Sequence, residues 1–334
     1  MRRVTTPTDP SDDRAARSTA LGAIAPLLRD HYVFPAVVER VAAAVAGLGT
    51  DLADSSGEWA GAVTSVLQSS SGDLHLRLHH SPTAMEMTDP FEDSSFTPTK
   101  LAEYRQLFRD DAHGIGAVER LPGNVGLLRM RGFVAPAFGG DRLAAAMTLL
   151  ADTDALLIDL RTSRGGSPEA VQLLCSYFFD PLEGPVHLND IVEDGGDRRH
   201  QYWTLPWTPG PRYLDRTVYV LTSARTFSAA EELAYNLKAL GRATVVGEQT
   251  RGGAHPSSRV PVTPHYALNL PHARSVNPVT GTNWEGVGVE PDVATTETDA
   301  FDVALRAALG DVVSGTDTSD AVRVEAQEAL AALG

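Results

Sequence analysis

Lysine is nearly absent: of 28 lysines and arginines in 334 residues, only Lys100 and Lys238 are lysines, which leaves few amines that could serve as a base. Cysteine is limited to Cys175, so no internal disulfide can form. Its place on the apolar face of a helix after Pro168, framed by no motif, reads as core rather than as a reactive thiol. No apolar run approaches the ~18 residues of a membrane span. The N-terminus, MRRVTTPTDPSDDRAARS, carries arginines but no apolar stretch and no cleavage-site pattern, so a cytoplasmic location is expected. A basic surplus is lacking too. The net charge of −15 and pI near 5.0 argue against nucleic acid and anionic membrane surfaces as partners. Apolar content of 43% and charged content of 21% are those of an ordinary globular chain.

What is present is a repeated strand–turn–helix plan, the pattern of an α/β core. Ala155–Leu160 is an apolar run followed by Arg161-Thr-Ser-Arg-Gly-Gly-Ser-Pro168 and a helix through Phe179. Ser167 suits an N-cap and Pro168 the first helical position. The Gly165-Gly166 pair offers backbone N–H groups unshielded by a Cβ, as an oxyanion hole requires. About 60 residues on, Val218–Leu221 reads as a second buried strand, and a helix opens at Ser228 with Leu233, Leu237 and Leu240 on one face. A serine at such a turn is where α/β enzymes expose a nucleophile. Ser228-Ala-Ala-Glu231 is equally a capping box, and the segment alone leaves both readings open.

Upstream, Ala15–Asp30, Pro35–Leu48 and Glu58–Gln68 are predicted helices, and Leu74–Leu78 alternates like a half-buried strand. Residues 1–12 read as a disordered tail, 13–110 as a helical N-terminal cap with a connector, 111–315 as the α/β core, and 316–334 as a helical tail. Ser81–Pro98 reads as a loop, Pro185–Pro211 as an excursion bearing Trp203 and Trp207, and Tyr266–Leu270 and Val287–Val289 as late strands.

The motifs DLHLRLHHSP, VERLPGNVG, DLRTSRGG, TSARTFSAAEE, VVGEQTRGGA and NWEGVGVEPD, in this order from about Leu28 to Asp292, resemble the C-terminal processing and tricorn-core serine peptidases of family S41. The likeness is to the branch that includes the repeats of interphotoreceptor retinoid-binding protein. It implies a crotonase/ClpP-like ββα spiral core under a helical cap. About 35 residues separate Pro82 from Val118, too few for the PDZ domain many relatives insert there, so tail recognition is in doubt.

The resemblance also assigns roles. Ser228 is the expected nucleophile, with the N–H groups of Gly165 or Gly166 and of Ala229 as the oxyanion hole. The family lysine falls in T-x-G-K-G, but here Gly253 occupies its place within Thr250-Arg-Gly-Gly-Ala254. Lys238 lies ten residues along the helix from Ser228, about 15 Å of rise; Lys100 matches nothing. Arginine does not deprotonate, so a histidine is the expected base. His75 matches the tricorn-like position, on the strand face opposite Leu74, Leu76 and Leu78; His255 is the second choice. His79 and His80 read as surface residues. Glu285 is the expected partner of the base, with Glu290 as its rival, and Arg161, Arg164 and His255 are expected substrate contacts. The chemistry calls for no cofactor and no metal. The implied activity is a Ser–His–Glu hydrolase acting on a peptide or small acyl substrate, with an esterase or peptide cyclase as variants. The alternative is a lipid or retinoid carrier on the same fold. Self-association into a homo-oligomer stays open.

Overall fold

The computed structural model describes residues 10–88, 90–91, 98–193 and 198–333. Three helices come first, α1 (Pro10–His31), α2 (Pro35–Ala46) and α3 (Ser56–Ser71), where the apolar periodicity predicts them. The expected disordered tail falls largely on residues 1–9, outside the described residues, and α1 is already helical at Pro10. After β1 (Arg77–His80) come α4 (Pro98–Asp110), β2 (Ile115–Leu121), β3 (Val125–Met130) and α5 (Pro136–Leu150). Then follow β4 (Ala155–Asp159), α6 (Pro168–Ser176), β5 (His187–Glu193) and β6 (Arg198–Trp203). Next are β7 (Thr217–Thr222), α7 (Ala229–Ala239), β8 (Thr244–Gly247), β9 (Ser257–Pro261) and β10 (Tyr266–Pro271). The chain closes with β11 (Ala273–Val276), β12 (Val293–Ala294), α8 (Ala300–Ser314) and α9 (Asp320–Ala332). The mixed α/β fold expected from the sequence is the fold observed.

Two expected strands differ. β1 starts at Arg77 rather than Leu74, because Asp73 turns the chain first: its Oδ1 accepts the His75 N–H at 2.9 Å, an Asx turn. His75 therefore sits in that turn, buried, instead of alternating outward along a strand. Val287–Val289 is no strand either. Residues 285–287 form a turn between two glycines of positive φ, Gly286 and Gly288, which breaks the extended backbone.

The chain divides into two compact units. The first comprises residues 1–95, 191–199 and 255–275. Its sheet has the order β1-β10-β9, antiparallel throughout, with Leu78 opposite Leu268 and Leu268 opposite Val260. Ile24, Leu28, Val41, Trp59, Val63 and Leu67 from the three helices bury against Leu76, Leu78 and the apolar side of β9 and β10. At about 25 cal/mol per Å² of apolar surface removed from water, this cluster is what holds the unit together.

The second unit comprises residues 96–190, 200–254 and 276–334. Its six-stranded sheet runs β12-β8-β7-β4-β3-β2, parallel except for the β2–β3 pair. Strand β4, central and wholly buried, reads Ala-Leu-Leu-Ile-Asp with no alternation, as a strand covered on both faces must. Ala304, Ala308, Leu309 and Val312 of α8 pack with Leu127, Leu157 and Leu221 of the sheet, and α9 extends the same cluster through Ala326. The parallel register sets Asp159 of β4 beside Leu221 of β7. Both strands therefore end level, and the two turns that follow them lie next to each other, where open α/β sheets place their sites.

Candidate active site

The two turns are tied together by side chains that the sequence spaces for the purpose. Thr226 Oγ1 donates to the Leu160 carbonyl at 2.9 Å, Ser223 Oγ to the Arg161 carbonyl at 2.6 Å, and the Phe227 N–H to the Ser163 carbonyl at 3.2 Å. On that platform Gly165 meets Ser228. A Cβ built on Gly165 would lie 2.7 Å from the Ser228 Cβ, the Ala229 nitrogen and the Phe227 oxygen, and its φ of +88° is a region L side chains rarely adopt. Only glycine allows that approach. Gly166 forms a parallel bridge with Phe133, through the Phe133 N–H to the Gly165 carbonyl at 2.9 Å and the Ser167 N–H to the Phe133 carbonyl at 2.8 Å. That bridge does not engage the amides of Gly165 or Gly166. The structure thus brings Gly165, Ser228 and Ala229 together.

Ser228 is not an ordinary cap. Ser55, Ser167 and Ser319 all precede helices with extended backbone, φ between −65° and −87°, and each side chain accepts an N–H from the first turn. Ser228 has φ +59° and ψ −127°. A β-carbon is strained there, at a typical cost of about 1–3 kcal/mol, and such strain concentrates where a side chain must be aimed. Ser228 still forms a capping box with Glu231, in which the Ser228 N–H donates to Glu231 Oε2 at 2.8 Å; what sets it apart from the other three is its backbone.

Glu231 does more than cap. Its buried carboxylate also accepts Thr250 Oγ1 at 2.5 Å and the N–H groups of Gly252 at 2.6 Å and Gly253 at 2.9 Å. Burial still pushes its carboxyl above the ordinary value, with these donors opposing. Gly253 thus presents its amide to the residue that fixes the Ser228 turn. The same loop pairs with the last motif. Trp284 Nε1 donates to the Gly253 carbonyl at 2.7 Å, the Gly286 N–H to the Gly252 carbonyl at 3.1 Å, and the Glu285 carboxylate accepts the Ala254 N–H. Glu285 therefore holds the backbone immediately before His255 in the chain. Glu290 is exposed, and its carbonyl takes Lys238 Nζ at 2.6 Å while Asp292 pairs that ammonium at 2.9 Å.

Arg161 is engaged within the scaffold: Nε and Nη2 bind the two oxygens of Asp159, each at 2.9 Å, and Nη1 the Glu297 carbonyl at 2.9 Å. Arg129 Nε shares Asp159 at 2.9 Å. Arg164 is exposed, its N–H donating to the Arg131 carbonyl at 3.2 Å.

The two candidate bases, His75 and His255, lie in the first unit. His255 Nδ1 is 2.8 Å from Asp73 Oδ2, and both side chains are at least 95% buried. Asp73 also receives Tyr32 OH at 3.1 Å, and Phe34 meets the His255 ring edge-on at 4.9 Å. Burial alone would raise the Asp73 carboxyl, but the His255 hydrogen bond and charge and the His75 N–H outweigh it and hold it low. His75 donates its N–H to this same aspartate, and its carbonyl takes Asn269 Nδ2 at 2.8 Å. Asp73 escaped the sequence reading; its only local signal is an Asp two residues before a His, the spacing of an Asx turn. His79 and His80 are half-buried rather than on the surface, and burial, then Arg259 and Arg77, lowers His79 to about 4.

On α7 itself, next to Glu231, lies a second buried acid. Glu232, at 5% exposure, is pushed by burial to about 8, with the Asn189 hydrogen bond lowering it and Glu169 raising it. Cys175, fully buried nearby in charge terms, has its thiol raised by burial and by Glu232, as suits a core residue. Between the ordinary glutamate value of 4.5 and about 8, folded Glu232 keeps a proton that the unfolded chain has lost. Its contribution to stability therefore falls as pH rises through that window, by at most about 1.4 kcal/mol per pH unit, and is flat outside it. Glu232→Gln is expected to match wild type in urea midpoint near pH 4.5 and to exceed it at pH 8. Identical midpoints at both pH values would refute the assignment.

Residues 124–295 match the model of Peptidase family S41, and the chain belongs to that family. It is 27% identical over 179 residues to a carboxy-terminal-processing protease of Bartonella bacilliformis, covering 52% of this chain and 39% of the relative. It is 28% identical over 151 residues to the carboxy-terminal processing protease CtpB of Bacillus subtilis, covering 45% of this chain and 29% of the relative. The matches thus span well under half the length of these curated relatives. Among solved structures, a lipoprotein from Streptococcus agalactiae aligns with a TM-score of 0.57 at 12% identity, covering 93% of this chain and 99% of that one. The photosystem II D1 C-terminal processing protease aligns at 0.51 and 16%, covering 85% and 94%. The tricorn protease aligns at 0.55 and 14%, covering 96% of this chain and 37% of that one. At these identities the likeness shows the fold.

Proposed function

We propose that this chain is a serine peptidase whose nucleophile is Ser228. The observation that carries this reading is the Ser228 backbone, strained at φ +59° and ψ −127° with a glycine loop against it, where a capping serine needs neither. Ser228 Oγ attacks the peptide carbonyl as a histidine takes its proton. The N–H groups of Ala229 and of Gly166 or Gly165 receive the developing oxyanion. The same histidine then passes its proton to the leaving amine, and water releases the acyl group. Sequence position favours His75 as that base, with Glu285 as its partner. The hydrogen bonds of the first unit favour His255, because a general base needs its second ring nitrogen fixed, and Asp73 on Nδ1 supplies that. We give the role to His255, with Asp73 orienting it and Glu285 anchoring the adjoining backbone through Ala254.

A fluorophosphonate probe tests the nucleophile: wild type is expected to be labelled at Ser228, and Ser228→Ala not at all. Equal labelling of both proteins would reject the reading. Loss of the hydroxyl is expected to cost about 1 kcal/mol or less of stability. Transfer of the acyl group to an amine, as in a peptide cyclase, would show as product masses lacking the added water. An unlabelled protein that binds retinol or a fatty acid stoichiometrically would instead be the carrier, and Trp203 and Trp207 fluorescence reports that titration.

A further inference from the structure

We infer that the substrate presents a carboxylate to Arg164 and Arg251, two arginines on the segments that flank Ser228; this deepens the peptidase reading and rests on it. The chain is acidic overall, 43 Asp and Glu against 28 Lys and Arg. Around the two turns, its other arginines are occupied. Arg129 and Arg161 hold Asp159, Arg131 holds Asp111, and Arg225 holds Glu297. Elsewhere in the second unit, Arg212, Arg216 and Arg242 are spent on backbone carbonyls. Among the described residues, the guanidinium groups of Arg164 and Arg251 have neither an acidic partner nor a backbone acceptor, and both residues are exposed.

Their placement is set by backbone. The Arg251 N–H donates to the Thr226 carbonyl at 3.1 Å, and its guanidinium carbon lies 5.2 Å from the centre of the Phe227 ring, the residue before the nucleophile. Stacking of this kind holds the head in place without neutralising it. Arg164 immediately precedes Gly165, whose α-carbon faces the Ser228 side chain. One uncompensated cation thus stands on the turn that carries Gly165, and another on the loop after β8 whose Arg251 head lies over Phe227. Acids nearby cannot satisfy them: Glu231 is buried on its own four donors, and Glu248 accepts the Ala224 and Glu297 N–H groups. A guanidinium fork matches a carboxylate in two parallel hydrogen bonds, a pairing stronger than one between neutral groups. In a peptide, that carboxylate is either an Asp or Glu side chain near the cleaved bond or the chain's own C-terminus.

The test is digestion of a synthetic peptide library, one half with free and one half with amidated C-termini, read by mass spectrometry, beside probe labelling of wild-type Ser228. Wild type is expected to prefer carboxylate-bearing peptides. Arg164→Gln and Arg251→Gln are each expected to raise KM for them about tenfold or more, with a smaller change for peptides bearing Gln or Asn instead. Loss of the preference on amidation assigns the C-terminus; its persistence assigns the acidic side chain. A protein labelled at Ser228 that cleaves Glu and Gln peptides equally, and free and amidated C-termini equally, would overturn this inference and leave the peptidase reading intact. An unlabelled Ser228 with no cleavage would remove the reading itself.

Discussion

His255→Ala is expected to lower kcat by roughly a hundred- to ten-thousand-fold, the range removed with a general base. His75→Ala is expected to lose far less. Asp73→Asn carries the finer test. The amide keeps nearly the shape of the carboxylate but loses the charge that stabilises imidazolium, and its NH₂ can turn toward Nδ1 and reverse the tautomer. Activity should fall by a comparable factor. Asp73 is held ionised by the His255 hydrogen bond and the His75 N–H against its burial, so the wild-type charge is present throughout the range where activity is measured. A purely structural Asp73 would lower the urea midpoint and leave kcat of the folded protein in place. The reverse order of the two histidine variants, His75→Ala crippling and His255→Ala mild, would return the base to His75.

The choice between the two histidines turns on contacts that no local pattern carries. The strand–turn–helix units were legible because their signals are local: an unbroken apolar run for a strand covered on both faces, Ser167 and Pro168 opening α6, Leu233 and Leu237 buried on α7. The glycine pair was legible because close backbone approach leaves glycine as the residue that fits. His75 was misplaced on a strand because Leu-His-Leu-Arg-Leu alternates, yet the Asp73 carboxylate, bonded to the His75 N–H, bends the chain before the alternation can act. The Asp73–His255 pair joins residues 182 apart in sequence, and no periodicity encodes such a contact. The same holds for β10, whose apolar run is visible but whose two sheet neighbours both precede it in the chain, β9 just before it and β1 far upstream. Arg161 and Arg164 looked alike as cations beside the glycines; only the position of Asp159 separates them, one engaged and one exposed. Glu231 was visible as the fourth residue of a capping box. Its other three donors come from residues 250–253, beyond any local pattern.

Those donors make Glu231→Gln the second large effect to expect. Four groups point at one carboxylate: the Ser228, Gly252 and Gly253 N–H groups and the Thr250 hydroxyl. Thr250 can rotate its hydrogen elsewhere, since its Oγ1 also accepts the Val289 N–H at 2.6 Å. The three amides cannot turn. Glutamine offers one acceptor oxygen and sets an NH₂ where an acceptor stood, so at least one buried N–H loses its partner and another donor is forced against donors. Each such group costs about 1–3 kcal/mol, which puts the loss of stability at about 2–4 kcal/mol. Activity should fall as well, because Ser228 keeps its positive φ only while the surrounding bonds outweigh the strain. Freed from Glu231, the turn is expected to relax toward the extended conformation of an ordinary cap, and labelling of Ser228 should slow by about a hundredfold or more, in the range seen when aligned catalytic groups are displaced by about 1 Å. Glu231→Asp separates the two consequences: it retains charge and acceptors on a shorter arm, so stability should recover more than labelling does. A Glu231→Gln protein with wild-type urea midpoint and wild-type labelling rate would show that the carboxylate is a bystander, and that Gly165 and the tied turns hold Ser228 without it.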